Sequence, residues 1–397
     1  MTDGTSRVRV KTVVIVGTGV AGTTAAATLR AEGYDGRLLL VGSEPEAPYR
    51  RPALSKDVLR GDRTTDQVRI KPATWYTDHE VELITGVTAT ELDVAGQTVT
   101  VDGVALGWDA VVLATGGRPR LLPGSDGAHV VRTAADVERL RAALRPGADL
   151  VVVGAGFLGA EVAATARSLD CGVTVLEAAP LPLGRLLPPS VAQWYLQLHR
   201  DRGVAVHTGT GVREATADRV VGSDGTVYRA DAVVVAIGMQ PETALAERAG
   251  LAVDGGIVVD ALGATSAPGV WAAGDVAAFP DPVTGRPRHR EHGQSAVTQG
   301  TAVARNLLGA GTPWSEVAWC WSDQHGVNLQ VCGEPRADDD MATRGSVAEG
   351  SFTALFSRGG TLTGAIGVAR PADIRTLRGL LASGDPVRID DLAALPG

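Results

Sequence analysis

The chain is poor in residues that several kinds of redox and binding protein cannot do without. It has three cysteines in 397 residues (Cys171, Cys320 and Cys332), and none belongs to a Cys-x-x-Cys pair. A disulfide framework, a zinc site and a dithiol redox couple all need closer, paired cysteines, so none of these is expected. Lysine is scarce as well. Lys11, Lys56 and Lys71 are the whole complement, and arginine supplies the other basic side chains. The formal net charge is −8 and no block of Lys/Arg interrupts the chain, which argues against nucleic acid as a partner. The opening MTDGTSRVRVK is polar and lacks the apolar core of a signal peptide. The most apolar long stretch, Val13–Leu29, is broken by glycines and threonines and fits strand, turn and helix better than a membrane span. The sequence therefore predicts a soluble cytoplasmic protein with no membrane segment and no metal site. Its length suggests two or three domains.

Glycine is abundant, and it recurs twice in one informative pattern. The clearer copy begins with the apolar run Leu150–Val153, followed by Gly154-Ala155-Gly156-Phe157-Leu158-Gly159 and an alanine-rich stretch. A second apolar run, Val173–Leu176, ends on Glu177, eighteen residues after Gly159. Strand, tight turn, helix, strand and acid in this order form the dinucleotide fingerprint. Gly154 permits the turn, Gly156 lets backbone approach a pyrophosphate, and Gly159 allows close helix–strand packing. Glu177 is placed to accept from a ribose 2′-OH and to repel a 2′-phosphate, which predicts NADH over NADPH. The second copy is Thr12–Val16 followed by Gly17-Thr18-Gly19-Val20-Ala21-Gly22. Two copies imply two dinucleotides, most commonly FAD and a nicotinamide. After the strand Arg37–Val41 the nearest acid is Glu44, with Gly42 where many such proteins carry an acid. Glu44 is thus the candidate ribose ligand, and a solvated loop glutamate is the rival reading.

Downstream lies Pro48-Tyr49-Arg50-Arg51-Pro52-Ala53-Leu54-Ser55-Lys56. The two prolines stiffen the backbone and oppose helix before Leu54. A lysine fixed by such a loop can set charge beside a flavin or pair with a buried carboxylate. This loop, the two fingerprints and the motifs below resemble the FAD-dependent NADH:ferredoxin reductases, the reductase components of bacterial cytochrome P450 and ring-hydroxylating dioxygenase systems. The resemblance spans essentially the whole chain. It implies FAD contacts at Arg51 and Lys56 and a pair between Lys56 and Glu161 near the flavin N5. The related NADH oxidases and peroxidases carry a redox cysteine near this loop, and this chain has none there.

Further motifs are similar to the same family. Ala110–Ala114 with Thr115-Gly116-Gly117 resembles the stretch where an FAD domain passes into an NAD domain. Arg132 matches an arginine near the FAD phosphates. Arg185 matches positions at the adenosine end of NADH, and Gly238 leaves room for nicotinamide. Thr265–Asp275 matches the second FAD motif, implicating Gly274 and Asp275 at the ribityl chain; an aspartate capping a helix from Val276 is the alternative. Glu291 to about Leu308 opens as a helix, with Gly293 where family members commonly carry tryptophan, so the flavin surroundings are expected to be more open. Trp321, in Trp319–Val331, matches a tryptophan beside the isoalloxazine, and His325 replaces a tyrosine. Arg286, Arg288 and Arg290, in an expected loop, are a candidate basic docking edge.

These observations predict an α/β fold of two Rossmann-like dinucleotide-binding domains, the NAD domain inserted in the FAD domain, plus a small α/β C-terminal domain. The expected boundaries are 1–114 and 249–318 for the FAD domain, 115–248 for the NAD domain and 319–397 for the C-terminal domain. Lys56, Glu161 and Trp321 are the candidate catalytic residues. The cofactor set is Gly17, Gly19, Ala21, Gly22, Glu44, Arg51, Lys56, Thr115, Gly116, Arg132, Gly154, Gly156, Leu158, Gly159, Glu177, Arg185, Gly238, Gly274, Asp275 and Trp321. The expected activity passes electrons from NADH through FAD to a small iron–sulfur ferredoxin feeding an oxygenase. The alternatives are an NADH-dependent reductase of a small organic acceptor, of monodehydroascorbate or quinone type, and a non-enzymatic flavin- and NADH-binding interaction protein.

Overall fold

The computed structural model describes residues 10–184, 186–281, 284–336 and 338–389. The chain divides into two compact units. One comprises Met1–Arg50, Val68–Arg118 and Pro241–Ser315; the other comprises Arg51–Gln67, Pro119–Gln240 and Glu316–Gly397.

The first unit is built on a five-stranded parallel sheet in the spatial order Val270–Ala272, Ala110–Leu113, Thr12–Val16, Arg37–Val41, Val81–Ile84. Its inner strands are continuous apolar runs because both faces are covered, and Val13, Val14 and Ile15 are fully buried. Strand order reverses direction at Thr12–Val16, which pairs with Arg37–Val41 on one side and Ala110–Leu113 on the other. That reversal leaves a crevice at its carboxyl end, where such sheets bind nucleotides. The helix Val20–Ala31 begins there and packs on the helix Gly293–Leu307. Small residues set the helix spacing: a Cβ on Gly300 would lie 2.4 Å from the Ala21 carbonyl oxygen.

Two local readings are corrected in this unit. Residues after Asp275 do not form a helix. A turn closed by Ala277 N–H to Gly274 O (2.9 Å) leads into the strand Ala277–Pro280, whose first three residues are a buried apolar run. The Arg286–Arg290 segment is not a loop, because Pro287–His289 pairs antiparallel with that strand.

The second unit carries a four-stranded parallel sheet ordered Val204–His207, Gly172–Leu176, Asp149–Val153, Ala232–Val235. Helix Phe157–Ser168 follows Asp149–Val153 and buries alanines from Ala160 to Ala166. A five-stranded antiparallel sheet of Trp319–Gln324, Val327–Gly333, Thr361–Val368, Ser351–Arg358 and Asp340–Ser346 completes the unit. One sheet face packs on the helix Pro371–Ser383 through Cys332, Leu355, Ala365 and Ile374. The other meets Val191, Ala192 and Tyr195 of the amphipathic helix Pro189–Asp201. The prolines around Lys56 do oppose ordinary helix. Arg51–Ala53 is one 3₁₀ turn and Leu54–Val58 a wide π-type turn, a form that recurs at functional sites. Among the described residues no helix is long and apolar enough to cross a membrane.

Candidate functional site

In the first unit the fingerprint glycines divide into closed and open positions. A Cβ on Gly17 (φ +119°) would strike the Ala114 carbonyl oxygen at 2.0 Å, and one on Gly22 would lie 1.9 Å from Gly17 O. Gly19 has nothing within 4 Å of its missing Cβ. The backbone is therefore clamped on both sides of one exposed glycine at the helix N-terminus, a cradle shaped for a pyrophosphate. The second motif adjoins the first. Gly274 (φ +82°) has no room for a Cβ against Ala21, 2.8 Å away, and its N–H donates to the buried Gln299 Oε1 at 2.7 Å. That contact places the half-buried Asp275 beside the fingerprint helix. Thr115 donates from Oγ1 to Glu242 O (2.8 Å), and Gly116 O accepts from Glu242 N–H at 2.9 Å.

Gly42 has a steric reason. Its missing Cβ would sit 2.2 Å from Thr18 Oγ1, so the first variable residue of the fingerprint fills the space an acid would need there. The nearest acid, Glu44, lies in the bend after the strand but is not fully solvated. It is half-buried and accepts from the Tyr49 hydroxyl.

The second unit repeats the cradle. Gly154 (φ +102°) would place a Cβ 2.4 Å from Ala236 O and Gly159 would place one 2.0 Å from Gly154 O, whereas Gly156 is open. Leu158 stands exposed on the first helical turn. Glu177 sits past Leu176 at the end of the neighbouring strand. It accepts from Ala155 N–H at 2.7 Å through Oε2 and from Ala179 N–H at 2.8 Å through Oε1. Its carboxylate thus braces the glycine turn while facing the cradle. Gly238 (φ +103°) has only the Arg120 side chain, at 3.8 Å or beyond, near its missing Cβ. Arg185 lies outside the described residues.

The densest polar site in this unit surrounds Glu161, on the fingerprint helix two residues past Gly159. Lys56 Nζ lies 2.7 Å from Glu161 Oε1, and the two side chains are only 15% and 7% exposed. Three residues that sequence reasoning missed complete the shell. Ser55 Oγ donates to Glu161 Oε2 (2.5 Å), Ser322 Oγ donates to Oε1 (2.6 Å), and Thr165 donates to Ser55 O (2.7 Å). Behind Ser322 come Gln324, His199 and His325. Burial pushes the His199 pKa down, and burial, followed by the repulsion a protonated His325 would meet from a protonated His199 and from Arg202 and Arg167, lowers that of His325 to about 4. Arg51 joins Arg132 by donating from Nη1 to its carbonyl at 2.5 Å. Trp321 does not join the Glu161 cluster. Side chains alternate along Trp319–Gln324, so Ser322 and Gln324 point to Glu161 while Trp319 and Trp321 share the opposite face. There the two indoles stack at 4.9 Å and 24°, with the Arg378 guanidinium 4.3 Å over Trp319.

The cysteines are reduced and buried. Desolvation raises the Cys171 thiol and pushes Cys320 and Cys332 up to about 12, so none offers a thiolate near neutrality.

Residues 11–300 match the family described as pyridine nucleotide-disulphide oxidoreductase, and residues 319–395 match the reductase C-terminal family. Rhodocoxin reductase of Rhodococcus erythropolis is 38% identical over 391 residues, covering 96% of this chain and 92% of the relative. The ferredoxin–NAD(+) reductase component of the anthranilate 1,2-dioxygenase system of Burkholderia cepacia is 40% identical, covering 95% and 96%. Among solved structures, the reductase chain of the covalent putidaredoxin reductase–putidaredoxin complex superposes with a TM-score of 0.91 at 35% identity, covering 96% of this chain and 95% of that one.

Proposed function

This chain belongs to the pyridine nucleotide-disulphide oxidoreductase family, in the branch of ferredoxin reductase components, and we propose that it carries electrons from NADH through FAD to a small iron–sulfur ferredoxin serving a cytochrome P450 or another oxygenase. The observation that carries the reading is the buried Lys56–Glu161 pair, which ties the proline-stiffened loop to the helix of the second cradle. We assign the FAD-binding domain to 1–114 and 249–318, the NAD-binding domain to 115–248 and the C-terminal domain to 319–397. The protein is assigned to the cytoplasm.

FAD, when bound, takes two electrons from a nicotinamide and returns them one at a time, which is the chemistry the protein needs. The residues present fit both nucleotides, because each cradle keeps its middle glycine open and its outer glycines closed. Gly17, Gly19, Ala21 and Gly22 would hold the FAD pyrophosphate, and Glu44 its adenosine ribose. Arg51 and Arg132 would face the phosphates, while Thr115, Gly116, Gly274 and Asp275 would orient the flavin half. Gly154, Gly156, Leu158 and Gly159 would hold NADH, with Glu177 and Arg185 at the adenosine end and Gly238 beside the nicotinamide. Lys56 would present its ammonium to the flavin, with Glu161 and both serines fixing where that charge sits. Trp321 would lie by the ring on the face away from NADH.

A cysteine-free variant tests the absence of thiol chemistry. The three sites are apolar and buried, so alanine is the suitable replacement; a serine would bury a hydroxyl at a cost of ~1–3 kcal/mol where it finds no partner. The variant is expected to keep the wild-type rate of NADH oxidation by ferricyanide. A folded, flavin-replete variant with no activity contradicts this.

The acceptor is tested through charge. Ferredoxins are acidic and the chain itself is −8, so docking needs a local basic edge. Arg286 and Arg288 lie exposed on the same side of their strand, with part of the charge offset by Asp281, 3.2 Å from Arg288. Rim charges act chiefly on encounter and are screened beyond ~8–10 Å at moderate salt. Ferredoxin-dependent cytochrome c reduction is expected to fall as salt rises, while direct ferricyanide reduction changes less. Exchanging Arg286, Arg288 and Arg290 for glutamine should lower the first rate selectively. Equal losses in both assays would remove this edge from the docking account.

A further inference from the structure

We propose that His199 and Gln324 are positioning residues for Glu161, acting through the Ser322 hydroxyl. The proposal rests on the reading that Lys56 and Glu161 serve a flavin. It explains a row of buried polar side chains that neither cradle requires. Gln324 Nε2 donates to Ser322 Oγ at 2.9 Å, His199 Nε2 meets Gln324 Oε1 at 2.7 Å, and His325 Nε2 meets His199 Nδ1 at 3.2 Å. Ser322, Gln324 and His199 are 0%, 1% and 4% exposed.

The chemistry of each group fixes the direction of the row. An ionised carboxylate only accepts, so the Ser322 hydrogen must point at Glu161 Oε1. Its lone pairs then face the Gln324 amide nitrogen. The Gln324 carbonyl oxygen, which cannot donate, is left toward His199. His199 must therefore carry its proton on Nε2 and offer a bare Nδ1, which accepts from His325. Burial keeps His199 neutral, as this arrangement requires, with the ring of Tyr195 packed edge-on 5.7 Å away. Every donor in the row points toward Glu161. Reversing an outer link breaks the row at Ser322, whose hydrogen the carboxylate holds, and leaves the serine oxygen without the Gln324 donor.

The effect falls on the atom that holds Lys56. Glu161 Oε1 receives both Lys56 (2.7 Å) and Ser322 (2.6 Å). The serine O–H dipole offsets part of the carboxylate charge. Without Gln324 the Ser322 oxygen loses the N–H that polarises it, so its O–H offsets less of the carboxylate charge and the site becomes more negative where extra electrons must be accommodated. A chain that merely filled space would not alter the charge at Glu161.

The test uses the FAD-loaded protein with no acceptor. Gln324→Leu is expected to move the flavin midpoint to lower potential by about tenfold in the two-electron reduction equilibrium, ~30 mV. Ser322→Ala should move it in the same direction. His199→Phe should do likewise, whereas His199→Gln, whose amide can still donate to Gln324, should restore the wild-type midpoint. Independently of flavin, ¹⁵N spectra of histidine-labelled protein should show His199 as the neutral Nε2–H tautomer, its signal identified by its loss in His199→Gln. A folded Gln324→Leu protein with an unmoved midpoint overturns the proposal. So does His199 found as the Nδ1–H form or as imidazolium, even if no variant folds. A shifted midpoint in a protein that reduces no ferredoxin would remove the acceptor reading and leave the positioning role standing.

Discussion

Lys56→Met is expected to give the largest single loss in this protein, in folding and in flavin reduction together. The substitution keeps most of the side-chain bulk and deletes the ammonium, leaving Glu161 charged where its side chain is 7% exposed. Breaking a buried pair on one side typically costs ~3–5 kcal/mol. The lower end is expected here, because Ser55 and Ser322 still donate to both carboxylate oxygens. Glu161→Gln in the Lys56→Met background should recover part of the stability, since it removes the stranded charge while keeping an acceptor. Flavin reduction by NADH should nevertheless stay slow in the double variant, because the ammonium is still missing. Denaturant unfolding and stopped-flow reduction separate the two effects. Wild-type stability and a wild-type reduction rate in Lys56→Met would falsify the role given to the pair.

The second large effect concerns coenzyme choice. In the proposed role, the Glu177 carboxylate stands where a 2′-phosphate would come, and like charges brought together cost several kcal/mol. The wild-type protein should therefore prefer NADH to NADPH in kcat/KM by roughly 100-fold, or ~2.7 kcal/mol. Removing the acid has a second consequence. Glu177 also accepts from Ala155 N–H and Ala179 N–H, so Glu177→Ala unties the glycine turn as well as lifting the repulsion. Glu177→Ala combined with Ala178→Arg should narrow the preference, partly through better use of NADPH and partly through a higher KM for NADH. Glu177→Gln separates the two causes, because the amide keeps an acceptor and drops the charge. Equal kcat/KM for both coenzymes in the wild-type protein would sink the assignment.

The two cradles were legible in the sequence because glycine there is a steric necessity. Nothing with a Cβ fits at Gly17, Gly22, Gly154 or Gly159, so the pattern survives in the letters. Lys56 was legible through scarcity, and Glu161 through its fixed offset from the fingerprint together with the resemblance. The rest of the polar shell was not. Ser55 and Glu161 are 106 residues apart, Ser322 and Glu161 are 161 apart, and His199 and Gln324 are 125 apart. No local spacing announces such partners, and serine, glutamine and histidine are ordinary surface residues elsewhere. Gln299, which holds Gly274, was hidden for the same reason. The misread segments failed on patterning. Ala277, Ala278 and Phe279 are all buried, and a short apolar run suits a strand or a helix equally well. Ala89–Asp93 shows mostly polar, outward residues, with Leu92 its one buried position, so its strand left almost no apolar trace.

Electron delivery to a ferredoxin is the central claim, and one assay reaches it directly. Purified, FAD-loaded protein is mixed with NADH, a small iron–sulfur ferredoxin and cytochrome c, and reduction of the cytochrome is followed with and without the ferredoxin. The account predicts a rate that depends on the ferredoxin, saturates with it and is supported by NADH far better than by NADPH. NADH oxidation that no iron–sulfur protein accelerates at any salt, while a quinone or the ascorbate radical does, would contradict it.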